Sequence, residues 1–255
     1  LSIRRQRQMC IRDSCKAGAN KGESARFKQV AREFALQYEE QLGTTLALQA
    51  ARLAAQKTVT ISIASEDLKL LKKSNFKLCF AKKVGTAAYN VVWQSYVKYL
   101  TDNQFSWTPE YQLFGSNVFQ DNITVRVSTN KVTIGLGEQS TLDEEGLLGN
   151  PSTGGEQTAI TMVNNYGTIH PGLNQLSTGV DGTQISTPIY VAQEPIVEGN
   201  VALTPVEKVL VWFEQNIETS TMFSSARSRQ VEIDLTNTNE QTRLYTNQQW
   251  ITPSL

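Results

Sequence analysis

The chain has 255 residues, 40% of them hydrophobic and 19% charged, which supplies apolar material for a packed core and excludes compositional disorder. Lys and Arg number 24 against 24 Asp and Glu, a balance that argues against a main task of holding polyanions. With three Cys outside any C-x-x-C spacing, a single His and no run near the roughly 18 apolar residues of a membrane-spanning helix, a disulfide framework, a zinc knuckle and a transmembrane segment are excluded.

The even balance hides an asymmetry. Residues 1–73 carry 14 basic against 7 acidic side chains, and residues 74–255 carry 10 against 17. A charge shift matched by a change from helical to strand-like patterning marks a domain boundary.

In chain order, Arg5-Gln6-Arg7-Gln8-Met9-Cys10-Ile11-Arg12-Asp13-Ser14 resembles translated sequencing-adapter read-through, so residues 1–14 are expected to be a non-native leader. No apolar core of a secretion signal follows it. Residues 15–64 are read as a helical extension that itself derives from untranslated sequence, with the protein proper starting near Ser65. Within it Phe27, Val30, Ala31, Phe34, Tyr38 and Leu42 repeat at three- and four-residue steps, predicting an amphipathic helix over 23–42. A packing helix or an unselected leader explains that pattern better than a membrane- or partner-docking helix. An Ala-rich segment from Leu46 to Gln56 also has helix propensity. Ser65 is the expected N-cap of a short helix, with Glu66 and Asp67 in its first turn and Lys69, Lys72 and Lys73 towards its end.

From Phe76 the period becomes two. Phe76, Leu78 and Phe80 alternate with Lys77, Cys79 and Ala81, and Lys82-Lys83 with Gly85 is expected to close that strand. Tyr89–Tyr96 reads as a second strand. Phe105–Trp107 runs into Pro109 as an edge or strand start, and Tyr111–Phe114 follows. Ile123, Val125 and Val127 alternate with polar residues and are expected to form a hairpin with Val132–Leu136. Between Gly146 and Thr187 lie eight of the sixteen Gly, and only Ala159–Val163 looks like a strand there. This long irregular stretch is the first place to look for a site, because its backbone can approach a ligand closely. Further strands are expected at Pro188–Val191, Val206–Phe213, Val231–Leu235 and Thr242–Tyr245, with Lys208–Glu214 apolar on both faces like a central strand. Trp93 and Trp212, each followed eleven or twelve residues later by Phe-Ser, form a faint internal echo that would place both at equivalent core positions.

Signals for chemistry are weak. His170 has Ser177, Thr178 or Cys79 as nucleophile partners and Asp181 as orienter, but no nucleophile elbow surrounds any Ser, and a structural His is the stronger reading. Asp143-Glu144-Glu145 lacks calcium-loop spacing and reads as a solvated turn. Gly135-Leu136-Gly137 fails the dinucleotide fingerprint for want of its third Gly. The acidic balance of the later region disfavours nucleic acid. Trp107, Tyr111, Tyr166, Tyr245 and Trp250 lie in polar or turn-rich neighbourhoods, where an aromatic face can stack on a sugar ring or anchor in a lipid interface.

These signals predict an all-β, mainly antiparallel β-sandwich over residues 65–255 with an α-helical N-terminal extension. The expected function is that of a non-enzymatic binding protein, lectin-like or otherwise surface-recognising. Its ligand-binding residues would be Trp107, Tyr111, Tyr166, His170, Asn174, Asp181 and Trp250, its partner a carbohydrate or lipid surface, and no cofactor or metal is implied. Homo-oligomerisation stays open, as does a cytoplasmic or secreted location. The alternatives are a membrane-acting cytolysin and a hydrolase using His170.

Overall fold

A computed structural model describes residues 55–253, apart from 226 and 228, together with helical positions 29, 30, 33–35, 37, 38 and 41. The expected leader over 1–14 and most of the Ala-rich helix from Leu46 lie outside the described residues. Two units divide the chain, 1–54 and 55–255. In the first, the described positions are helical as the periodicity predicts; Val30, Phe34 and Tyr38 are exposed, and Gln29 donates to Glu33 one turn on.

The second unit comprises β1 (Lys57–Ile63), α1 (Ser65–Lys73), β2 (Lys77–Val84), β3 (Gln94–Tyr96), β4 (Asp102–Ser116), β5 (Val132–Ile134), β6 (Glu138–Leu142), β7 (Ser152–Thr153) and β8 (Ile160–Asn164). It continues with β9 (His170–Thr178), β10 (Gln184–Val191), β11 (Gly199–Leu203), β12 (Pro205–Glu214), β13 (Val231–Asp234), β14 (Glu240–Thr246) and β15 (Gln249–Ile251). The fold is all-β and predominantly antiparallel, as expected. One sheet runs β10-β9-β4-β1-β14-β15 with β5 on β4; a second runs β13-β12-β2-β3; a third runs β11-β8-β6-β7. Among the described residues, only β1–β14 and β6–β8 pair in parallel.

The first two sheets face each other across the main core. Val59, Ile61 and Ile63 of β1 and Phe105 and Trp107 of β4 meet Leu78 and Phe80 of β2 and Val209, Val211 and Phe213 of β12. Phe80 and Phe105 stack at 4.3 Å between ring centroids, and Trp93 meets Phe105 edge-on at 5.0 Å. The second sheet is buried on its outer face too: Cys79, Ala81, Leu210 and Trp212 pack under Val92, Ile217 and Phe223. That double burial is why 208–214 reads as apolar on both faces, and β12 is indeed central, between β13 and β2.

Several expectations need correction. The protein's β-domain starts before Ser65, because Lys57–Ile63 is a strand inserted between β4 and β14, its Val, Ile and Ile inward and its Thr and Ser alternating with them. Helix α1 begins at Ser65 with Ala64 in the cap position and no side-chain cap, so Ser65 is not its N-cap. Phe105–Trp107 and Tyr111–Phe114 belong to one strand, β4, which is interior rather than an edge. Its register against β9 shifts between Trp107 and Tyr111, and that irregularity places Pro109 where no ladder donor is required. Ile123–Val127 forms no strand, and its apolar residues instead cover a small cluster around Val91, Phe114, Val191 and Met222. Its expected partner joins β4 as β5.

The stretch from Gly146 to Thr187 is not a long loop. It holds β7, β8, β9 and the start of β10. Gly172 lies in β9 because the Phe114 ring fills the space a Cβ would take, and Gly179 is held against the Tyr96 hydroxyl in the same way. The echoed tryptophans are both core, but not equivalent: Trp93 faces the inter-sheet core, whereas Trp212 packs on Phe223 in the outer layer.

Candidate functional site

The groups with the richest chemistry are occupied within the fold. His170 opens β9, where its Nδ1 lies 2.8 Å from the Ala192 carbonyl oxygen. Ser177 is seven residues further along the same strand, about 23 Å away at the usual rise per residue, and Asp181 lies in the turn beyond it, accepting the Thr183 N–H at 3.0 Å. Cys79 is fully buried on the second sheet, and burial pushes its thiol pKa up, which disfavours the thiolate. Ser177 is therefore not brought to His170, and Cys79 is sealed inside the fold. Among the described residues, no three His, Cys, Asp or Glu side chains gather in a way that could hold a metal ion.

The predicted ligand-binding residues are scattered. Trp107 and Tyr111, each 2% exposed, are core residues and not surface aromatics. The Trp107 indole N–H donates to Glu207 Oε2 at 2.8 Å, and the same oxygen takes Lys82 Nζ at 2.7 Å, so a polar partner inside the sandwich satisfies the ring's one donor. Lys82 does not close its strand towards solvent. It is 1% exposed, with its ammonium 4.6 Å from the Trp107 ring centroid, and desolvation outweighs Glu207 and pulls its pKa down to about 8. Tyr245 is buried as well, and Trp250, half-buried beside it, stacks on Phe213 at 5.5 Å and donates to the Arg229 carbonyl at 2.8 Å. Asn174 is fully buried, its amide donating to Gln112 Oε1 at 3.2 Å. Its neighbours Gln175 and Ser177 are sealed too; all three leave an oxygen without a partner among the described residues, making β9 polar inside but closed to solvent.

Tyr166 alone of the predicted aromatics stands well out, 42% exposed, its ring against Gly146 at the turn that carries Asp143, Glu144 and Glu145. Asp143 accepts the Leu147 N–H at 2.8 Å, so this acidic run is a turn, as expected.

A second exposed feature escaped the sequence reading. After β3 the chain crosses the end of the sandwich as Val97-Lys98-Tyr99-Leu100 before entering β4. Tyr99 is its anchor: 2% exposed, it packs on Phe213 and donates its hydroxyl to the Phe76 carbonyl at 2.9 Å. Asn103 clasps the far end, accepting the Leu100 N–H and donating back to the Leu100 carbonyl, both at 2.7 Å. Lys72 of α1 ties helix to strap, donating to the Val97 carbonyl at 2.5 Å with its ammonium 3.6 Å from the Tyr99 ring centroid; desolvation lowers its pKa. Held in this way, the strap shows Val97 at 61% and Leu100 at 71% exposure, with Lys98 between them. On helix α1, Lys69 and Lys73 are exposed next to Lys72, whereas exposed Leu70, two residues from Lys72, lies on the opposite side of the helix. A partial signal was available in the charges: residues 65–100 hold seven Lys against two acids, though Lys82 is spent on Glu207 and Lys77 on Glu218, and residues 101–255 hold six basic against seventeen acidic side chains.

Compared with known proteins, the chain matches no family model, and no curated protein or solved structure is significantly similar to it.

Proposed function

We propose that this protein is a non-enzymatic binding protein that recognises a surface. The observation that carries the reading is the strap–helix face, where large aliphatic side chains and lysines stand in solvent on a backbone fixed by Tyr99, Asn103 and Lys72. Aliphatic residues scattered singly over a surface need no explanation, but a braced segment that buries one aromatic and shows its apolar neighbours is a display. The hydrolase alternative has less support, since His170 is spent on a backbone carbonyl, Ser177 and Thr178 lie at the far end of its strand, and Cys79 is fully buried. A lectin-like variant draws on Tyr166, whose exposed ring beside an acidic turn suits stacking on a sugar.

The test is a glycan array run beside a vesicle co-sedimentation panel, both at micromolar protein. Concentration-dependent binding in either arm is the expected result, and blanks in both would sink the reading. Vesicle binding accompanied by dye release would move the assignment to the membrane-acting cytolysin.

A further inference from the structure

We propose that the face formed by α1 and Val97–Leu100 docks on an anionic lipid surface. This rests on the surface-recognition reading and names its partner. Val97 and Leu100 are aliphatic side chains able to enter the outer few ångströms of a bilayer without leaving a buried polar group unpaired. Lys73 and Lys98 are exposed and have no ion-pair partner among the described residues, so their charges are available to headgroups. Lys69, by contrast, pairs with Glu66 at 2.9 Å and contributes less. Of the seven Lys over 65–100, Lys82 is buried on Glu207 and Lys77 pairs with Glu218, so the face offers chiefly Lys73 and Lys98, while residues 101–255 carry six basic against seventeen acidic side chains. Near an anionic membrane the acidic remainder is repelled and the basic end attracted, which turns the strap towards the lipid.

Other polyanionic or protein partners fit the face less well. Nucleic acid binders read single strands by stacking bases on exposed aromatic rings, and the one ring in the strap, Tyr99, is buried. Protein interfaces are depleted in Lys at their cores and enriched in Tyr, Trp and Arg, the reverse of this face. Lysines rimming aliphatic side chains are what a headgroup–acyl boundary accommodates, the stems lying along the apolar layer and the ammonium groups among the phosphates.

The experiment is co-sedimentation of the full chain with vesicles of phosphatidylcholine alone and of phosphatidylcholine with phosphatidylserine. Binding is expected only with phosphatidylserine and is expected to fall as salt rises. Each lysine near an anionic surface is worth about fivefold in affinity, so K73Q/K98Q should bind about 25-fold more weakly. V97S/L100S should weaken binding several-fold at every salt concentration, because it removes the part that salt does not screen. K131Q, an exposed lysine elsewhere in the β-domain, should bind like the parent chain. Equal binding to both vesicle types, or K73Q/K98Q and V97S/L100S binding like the parent, would overturn the proposal. Glycan binding without vesicle binding would also overturn it while leaving the surface-recognition reading intact, whereas blanks in both would remove both.

Discussion

Lys82 and Lys98 are the same residue type in one short stretch of chain, and the fold uses them in opposite ways. Lys82 lies between the two facing sheets, 1% exposed, with its ammonium on Glu207 and over the Trp107 ring. Lys98 stands in solvent between two exposed aliphatic residues and pairs with no acid among the described residues. Burial commits the first lysine to the fold, because any loss of its partner leaves a charge in a medium that solvates it poorly. Exposure leaves the second free of structural duty, and its charge is then available to something outside the molecule. A buried lysine held by Glu207 and an aromatic ring is thus committed to structure, whereas the role of the exposed lysine is what the proposed docking would explain.

The largest expected effect breaks the buried side of this contrast. Glu207→Gln keeps the shape and can still accept the Trp107 indole N–H, but it strands the Lys82 charge. Removing one partner of a buried pair costs about 3–5 kcal/mol. Glu207 retains 26% exposure of its side chain, which sets the loss at the lower end, about 3 kcal/mol. Urea unfolding with an unchanged slope and a shifted midpoint measures it, and a loss under about 1 kcal/mol would mean that water reaches Lys82.

A smaller effect sharpens the same side through pH. The folded-state pKa of Lys82 is about 8 against an ordinary 10.5, so folding holds its ammonium less readily than the unfolded chain does. Between those values the unfolded state binds more protons, and stability rises with pH. The penalty for holding the buried ammonium is fully present below pH 8 and is relieved as pH climbs towards 10.5. The stability of the parent chain minus that of Lys82→Met should therefore increase from pH 8 to pH 10, with a slope no steeper than about 1.4 kcal/mol per pH unit. A flat difference would show that Lys82 titrates as it would in water.

The contrast between the two lysines was only half legible in the sequence. Strand type was legible wherever apolar alternation was unbroken, as in β2, or where both faces were apolar, as in β12. The signature Thr-Val-Thr-Ile-Ser-Ile of β1 is equally clean, yet it lies inside the segment over 15–64 that reads as a helical extension. Glycine density misled in the other direction: Gly172 and Gly179 mark aromatic rings pressed against a strand and its following turn, not open loop, and the ring that needs each glycine lies far away in sequence. Pro109 argued for an edge, because nothing local reveals a register shift set by β9. The site was less legible than the fold for the same reason. In Tyr96-Val97-Lys98-Tyr99-Leu100, one tyrosine is buried and two aliphatic residues are exposed, the opposite of what hydrophobicity alone assigns, since Phe213 and the Phe76 carbonyl decide which residue turns inward. Nothing near Trp107 in the sequence reveals that it is buried, because the acceptor that permits it, Glu207, lies a hundred residues on.

The smallest expected effect tests the exposed side, and its smallness is the point. Val97 and Leu100 keep 61% and 71% of their surface in water, so replacing both with serine removes little buried apolar area and opens no cavity. The backbone hydrogen bonds that fix the strap come from Tyr99, Asn103 and Lys72, none of which changes. Unfolding stability of V97S/L100S should therefore lie within about 0.5 kcal/mol of the parent chain, as read from the urea midpoint. Serine in place of exposed aliphatic residues also removes surface that water covers at a cost, so a slight gain in solubility fits the same picture. If instead the pair of substitutions destabilised the β-domain by more than about 1.5 kcal/mol, Val97 and Leu100 would be packing residues. The strap would then be part of the structure in the sense that Lys82 is, and an outside partner would no longer be needed to explain why these side chains face solvent.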